Sequence, residues 1–148
     1  MSHPCTCAAL RKLTRTVTRL YDAHMAEAGL KTTQYSLLQT IARESVPMAE
    51  LARRLSTERT TLTRNLKPLI DSGWVRLEAG DDARQRIVTI TPRGRETIAA
   101  ARAAWRRAQA RIEDALGRDA VERLHANAEH ALGILTPLVE RTPDVVES

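Results

Sequence analysis

Apolar residues in this chain return at steps of three and four along most of its length, and the rhythm changes to alternation at one place only, Trp74–Glu78 and Arg86–Ile90. Steps of three and four line one face of a helix, whereas alternation lines one face of a strand. The chain is thereby restricted to a mainly α fold with a small β-hairpin. Its aromatic residues are Trp74, Trp105, Tyr21 and Tyr35, with no phenylalanine. The core therefore falls to Leu, Ile, Val and Ala, which suit closely packed helices. At 148 residues, a single domain over 1–148 buries roughly two-thirds of its unfolded surface and needs no staple.

Six helices are expected. The first carries Leu10, Leu13, Val17, Leu20 and His24, with Arg11, Lys12, Arg15 and Arg19 between them, and ends near Gly29. Thr32 is placed to cap a second, striped by Tyr35, Leu38 and Ile41 or Ala42. Pro47 suits the first turn of a short third helix through Leu55. After a turn at Ser56–Glu58, a fourth buries Leu62, Leu66, Leu69 and Ile70 and stops at Gly73. Pro68 lacks the amide that would bond to the Arg64 carbonyl, so a bend or early loosening is expected there. The hairpin at 74–90 is the one sheet expected, with its tip in Ala79–Gln85.

Thr91-Pro92 supplies a cap and a proline at the first position of a long fifth helix, striped by Ile98, Ala101, Trp105, Ala108, Ile112 and Leu116. Gly117 ends it, and Asp119 with Glu122 has the spacing of a capping box for a sixth, carrying Val121, Leu124, Ala128, Ala131, Leu135 and Leu138. Two long striped helices cannot bury those faces alone. With the first helix they form the seam of a homodimer; the competing reading is an intramolecular pair. The tail after Pro143 reads as frayed.

The net charge of +5 and pI near 9.9 favour an acidic partner. The excess is +3 over residues 1–46 and +3 over 47–93, against −1 over 94–148, which fits a nucleic-acid binder with a separate assembly region. No apolar run approaches about 18 residues and no signal peptide opens the chain, so a cytoplasmic location without membrane contact is expected. His3, His24, His125 and His130 show no metal-ligand spacing, and no phosphate loop or nucleophile motif occurs. No enzyme activity, metal or cofactor is expected. Cys5 and Cys7 are candidates for chemistry rather than for a structural disulfide.

The fourth helix carries Arg59, Thr60, Thr61, Thr63, Arg64 and Lys67 opposite its leucines. A helix with short polar and basic side chains on its exposed face fits the major groove, where threonines reach base edges or thymine methyls and an arginine forks onto guanine. Threonines are poor helix formers with no core to fill here, which weighs against an ordinary solvated face.

The block MAELARRLSTERTTLTRNLKPLIDSGWV at 48–75, DDARQRIVTITPRG at 81–94 and GLKTTQYSLL at 29–38 together resemble the MarR family of winged helix-turn-helix regulators. The resemblance implies a DNA-binding lobe at 30–92, dimerisation helices at 8–28 and 93–141, and a homodimer on a palindromic operator in double-stranded DNA. It implies a repressor released by a small-molecule effector or an oxidant. It places Arg84 in the minor groove with Asp82 orienting it, and makes Arg86 either a phosphate contact or a partner of Asp81 or Asp82. Arg53 and Arg54 become phosphate contacts. Tyr21, His24, Met25, Tyr35 and Trp105 become candidates to line an effector crevice, although His24, Met25 and Trp105 also read as core. Cys7 through Leu10, Tyr21, Gly29, Leu30, Gln34 and Tyr35 is similar to the organic-hydroperoxide-sensing branch of that family. Cys7 would be the sensor and Cys5 its neighbour, Arg11 and Lys12 stabilising the thiolate. Two tyrosines of that branch are replaced by Arg11 and Thr32; Tyr21 is kept. The alternatives are a thiol peroxidase using Cys7 and an interaction module without DNA binding.

Overall fold

The structure is a computed structural model that describes residues 5–82 and 84–141. His3 and the tail after Pro143 lie outside the described residues. Compact packing divides the chain into one unit up to Gln109 and another from Ala110. Elements follow in the order α1 (Thr6–Met25), a 3-10 turn (Ala26–Ala28), α2 (Thr32–Arg43), β1 (Val46–Pro47), α3 (Met48–Arg54), α4 (Arg59–Asp71), β2 (Val75–Ala79), β3 (Arg86–Ile90), α5 (Pro92–Leu116) and α6 (Arg118–Arg141).

The first unit is built around a core in which Met25, Leu38, Ile41, Leu51, Leu62, Leu66, Leu69, Val75 and Val88 are almost wholly buried. The leucines of α4 seat it with its opposite face outward. The sheet holds one strand more than the alternation indicates: the antiparallel order is β1-β3-β2, with Val46 opposite Val88 and Pro47 opposite Ile87. A two-residue strand has no period to read. A proline is tolerated there because β1 is an edge.

Three local expectations are corrected. The N-cap of α2 is Lys31 rather than Thr32; the Lys31 amide donates to Gln34 Oε1 at 3.0 Å, and the Thr32 amide donates to Asp22 Oδ1 of α1 at 2.7 Å. Thr32 Oγ1 itself is buried with no hydrogen-bond partner among the described residues. The early loosening expected at Pro68 does not occur: α4 continues to Asp71 with the Ser72 amide on the Pro68 carbonyl at 3.0 Å. The Pro68 ring is exposed while Leu66 and Leu69 are buried on either side, so packing outweighs one lost bond. Asp119 is no cap either: α6 begins at Arg118, so the carboxylate sits in the first turn and complements the helix dipole from there.

Gly73 follows the C-terminal end of α4 with φ of 71°; its amide bonds to the Ile70 carbonyl and that of Trp74 to the Leu69 carbonyl, both at 2.9 Å. This left-handed closure turns the chain sharply into β2. At the other end of the hairpin, Thr91 Oγ1 accepts the Gly94 amide at 3.0 Å and donates to the Gly73 carbonyl at 2.7 Å. Thr91 therefore caps α5 and ties it to the end of α4.

In the second unit Val121 of α6 is buried, but Leu124, Leu132, Ile134, Leu135, Leu138 and Val139 are exposed. In α1, Leu10 and Leu13 are exposed as well.

Candidate nucleic-acid interface

α3 and α4 are the two helices of a helix-turn-helix, joined through Leu55–Glu58, where Ser56 takes a φ of 48°. On α4, Arg59, Thr60, Thr63, Arg64 and Lys67 are exposed and Thr61 is half-buried. The Thr63 hydroxyl donates to the Arg59 carbonyl at 2.9 Å, which leaves its methyl and lone pairs facing outward contacts. Lys67 is ion-paired with Asp71 at 2.8 Å.

The hairpin brings a second set of cations to α4. Its tip closes by the Gln85 amide on the Asp82 carbonyl at 2.8 Å, and Asp82 Oδ1 accepts the Arg84 amide at 2.9 Å. Asp82 thus fixes the backbone from which Arg84 projects. Arg59, Asp82, Arg84 and Arg86 line one hollow of about 300 Å³ between the start of α4 and the hairpin. Arg59, Arg64, Arg84 and Arg86 have no ion pair among the described residues, so the pairing of Arg86 with Asp81 or Asp82 is not the arrangement found.

Arg53 and Arg54 behave differently. Glu50 accepts from Arg53 at 2.8 Å and from Arg54 at 2.7 Å, and Glu44 accepts from Arg54 at 3.0 Å. Hydrogen bonds from Arg53 and then Arg54 hold the Glu50 carboxyl down at about 2, and those from Glu50 and Glu44 raise the Arg54 guanidinium. Two carboxylates neutralise these two arginines, and Arg54, held by both, is a poor phosphate contact until they release it. The network was legible in part: Glu50 precedes Arg53 and Arg54 by three and four residues, the spacing of neighbours on a helix.

The residues expected to line an effector crevice are engaged with their neighbours in the first unit. Met25 and Tyr35 are buried in the core, and Tyr35 stacks on the half-buried Trp105 with ring centroids 6.4 Å apart. Tyr21 bonds to Gln109, and His24 Nδ1 lies 2.9 Å from the Leu20 carbonyl. None of the five lines the hollow of about 550 Å³ that lies against α4, bordered by Thr18, Lys31, Thr32, Leu55, Thr57, Arg64 and Asn65 among others. Sequence reading missed this hollow because its walls come from four separate segments. Cys5, at the N-cap of α1, and Cys7 are free and exposed. No group of three or more His, Cys, Asp or Glu that could hold a metal ion occurs among the described residues, and no helix among them is long and apolar enough to cross a membrane.

A helix-turn-helix followed by a strand hairpin that carries its own cations defines a winged helix-turn-helix protein. Residues 28–85 match the model of the MarR family. The structure is similar to that of the transcriptional regulator MosR of M. tuberculosis in complex with DNA, at 37% identity and a TM-score of 0.77, over 88% of this chain and 97% of that one. It also shares the fold of a mutant E. coli MarR complexed with operator DNA, at 22% identity and a TM-score of 0.76, over 84% and 91%. YwoH of Bacillus subtilis (strain 168), described as an uncharacterized HTH-type transcriptional regulator, is 32% identical over 79 residues, or 52% of this chain and 57% of that protein. The chain thus spans little more than half of that curated relative's length. It belongs to the MarR family.

Proposed function

We propose that this chain is a sequence-specific DNA-binding transcriptional regulator that acts in the cytoplasm as a homodimer on a palindromic operator. The observation that carries the reading is the set of four arginines without ion pairs, three of which surround one hollow between α4 and the wing. A cationic hollow between a groove-sized helix and a hairpin suits a phosphate backbone passing between two grooves. α4 reads bases in the major groove through Thr60, Thr63 and Arg64, and Arg84 enters the minor groove, where narrow width concentrates negative potential. The relative MosR, described in complex with DNA, supports the same use. The exposed leucines of α6 and of α1 supply apolar area for a second copy to cover.

The signal that releases DNA acts on this reading in one of two ways. A small molecule in the hollow of about 550 Å³ would touch Arg64 directly, and so compete with a base contact. An oxidant would act on Cys5 and Cys7: a hydroperoxide oxidises one thiolate to a sulfenic acid and leaves as the alcohol, and the second thiol then closes a disulfide with loss of water.

A gel shift on the chain's own promoter region tests the DNA reading. Arg84→Ala should weaken binding to most sequences, while Arg64→Ala should cost roughly 1–3 kcal/mol mainly at one base position. Equal losses on operator and random DNA for both variants would remove the assignment. In the same assay, cumene hydroperoxide should release wild-type protein and spare Cys7→Ser; release that persists in Cys7→Ser leaves the small molecule as the signal.

A further inference from the structure

We propose that the notch between the C-terminal end of α2 and the first turns of α5 binds a small polyvalent oxyanion, a di- or tricarboxylate or a phosphate ester, gripped by Arg43, Arg95 and Arg102. The notch is a hollow of about 200 Å³ lined by Gln39, Ala42, Arg43, Arg95, Ile98 and Arg102. Arg95 and Arg102 stand two helical turns apart, on the same face of α5 as the buried Ile98 between them, which fixes how that face is turned. Gln39 and Arg43 stand one turn apart on α2. Three guanidinium groups from two helices thus meet at one place, and no acidic side chain lines it.

Within the first unit some cations are paired and others are not. Arg53, Arg54, Lys67, Arg76 and Arg107 each meet a carboxylate, whereas Arg43, Arg95 and Arg102 meet none among the described residues. Arg95 Nη1 donates to the Ala42 carbonyl at 3.3 Å, which occupies one of its N–H groups. The C-terminal end of α2 offsets about half a unit of charge, against three positive groups. A guanidinium only donates, and its planar fork fits two oxygens of a carboxylate or phosphate. The remaining donors therefore call for a clustered set of anionic oxygens. Drug-sized ligands occupy hollows of roughly 300–1,000 Å³, so a notch of about 200 Å³ selects a smaller, strongly charged molecule.

The notch shares no residue with α4 or with the wing hollow, so its ligand leaves the DNA-contacting arginines free. Its occupancy bridges α2 to α5 beside an existing link: Gln39 donates to the Tyr35 hydroxyl at 2.7 Å, and Tyr35 stacks on Trp105 of α5.

Titration calorimetry with citrate and with inorganic phosphate, at ionic strength held constant with sodium chloride, tests the proposal on the full chain. At least one probe should bind saturably; citrate alone would identify a polycarboxylate, phosphate alone a phosphate ester. Arg43→Gln and Arg102→Gln should each weaken that binding at least about tenfold, the loss expected when a charge-assisted fork is removed. Arg76→Gln, outside the notch, should bind as wild type does. Arg43→Lys and Arg102→Lys, which keep the charge and the fold but lose the fork, should fall between. Operator affinity in a gel shift should stay within about threefold for Arg43→Gln, as for a site away from the DNA face. No saturable binding beyond the chloride control, or equal binding by wild type and both glutamine variants, overturns the site. A large loss of operator affinity in Arg43→Gln also overturns it, because these arginines would then be DNA contacts.

Discussion

Charge at single residues decides which cations can serve DNA. Glu50 neutralises Arg53 and Arg54 from one turn away, while Arg59, Arg64, Arg84 and Arg86 have no ion pair among the described residues. The Glu50 carboxyl is held at about 2 against an ordinary value of 4.5. A depressed carboxyl stabilises the fold above its unfolded value and loses that contribution as the pH falls through the folded one. The Glu50 share is thus complete above about pH 4.5 and is lost between there and about pH 2. The pair is solvated, so its effect on stability is small and the titration itself is the better readout. The side-chain carboxyl carbon of Glu50 should titrate near pH 2 by NMR. A midpoint near 4.5 would show that the network does not persist in solution. The basic residues of this face were legible in the sequence, because they fall on one side of a striped helix. Their partners were legible only where they lie on the same helix: Glu44 reaches Arg54 from the loop before β1, and no periodicity announces that.

At the scale of elements, the wing is placed by how α5 leaves it. A Cβ added at Gly94 would stand 2.2 Å from the Trp74 carbonyl oxygen and 2.8 Å from Ile90 Cγ1. The carbonyl is backbone in the turn between α4 and β2, so it cannot swing aside as a flexible side chain would. Gly94→Ala should therefore destabilise the fold by about 1–3 kcal/mol, with the thermal midpoint falling by roughly 2–4 °C per kcal/mol. An unchanged midpoint would mean that α5 does not approach β2 as described. Thr91-Pro92 announced the start of α5, since a hydroxyl before a proline marks a first turn, and the bond from the Gly94 amide to Thr91 Oγ1 fulfils that reading. Gly73 likewise announced the end of α4. The strand Val46–Pro47 was not legible, because it depends on a partner distant in sequence, β3.

For the whole molecule, the stripes of α1 and α6 were readable as apolar faces, but a stripe does not say what covers it. In one copy Leu124, Leu132, Ile134, Leu135 and Leu138 of α6 are exposed, as are Leu10 and Leu13 of α1, and the proposed homodimer would cover them. A twofold dimer covers the same patch on both copies and presents two α4 helices and two wings to DNA. Its half-sites then lie about one helical turn apart, near 10 base pairs centre to centre. Leu132→Glu with Leu135→Glu should shift elution from dimer to monomer and abolish the advantage of a palindrome over a single half-site. Salt dependence supplies an independent count. Arg59, Arg64, Arg84 and Arg86 give four uncommitted cations per protomer and hence eight per dimer. If each offsets one phosphate charge, from the backbone or from within a groove, at about 0.9 counterion released apiece, the logarithm of the association constant should fall against that of salt with a slope of about −7. The monomeric variant should show about half that slope. A wild-type slope no steeper than about −3 would mean that most of these arginines do not reach the duplex, and the docking of α4 and the wing on it would have to be abandoned.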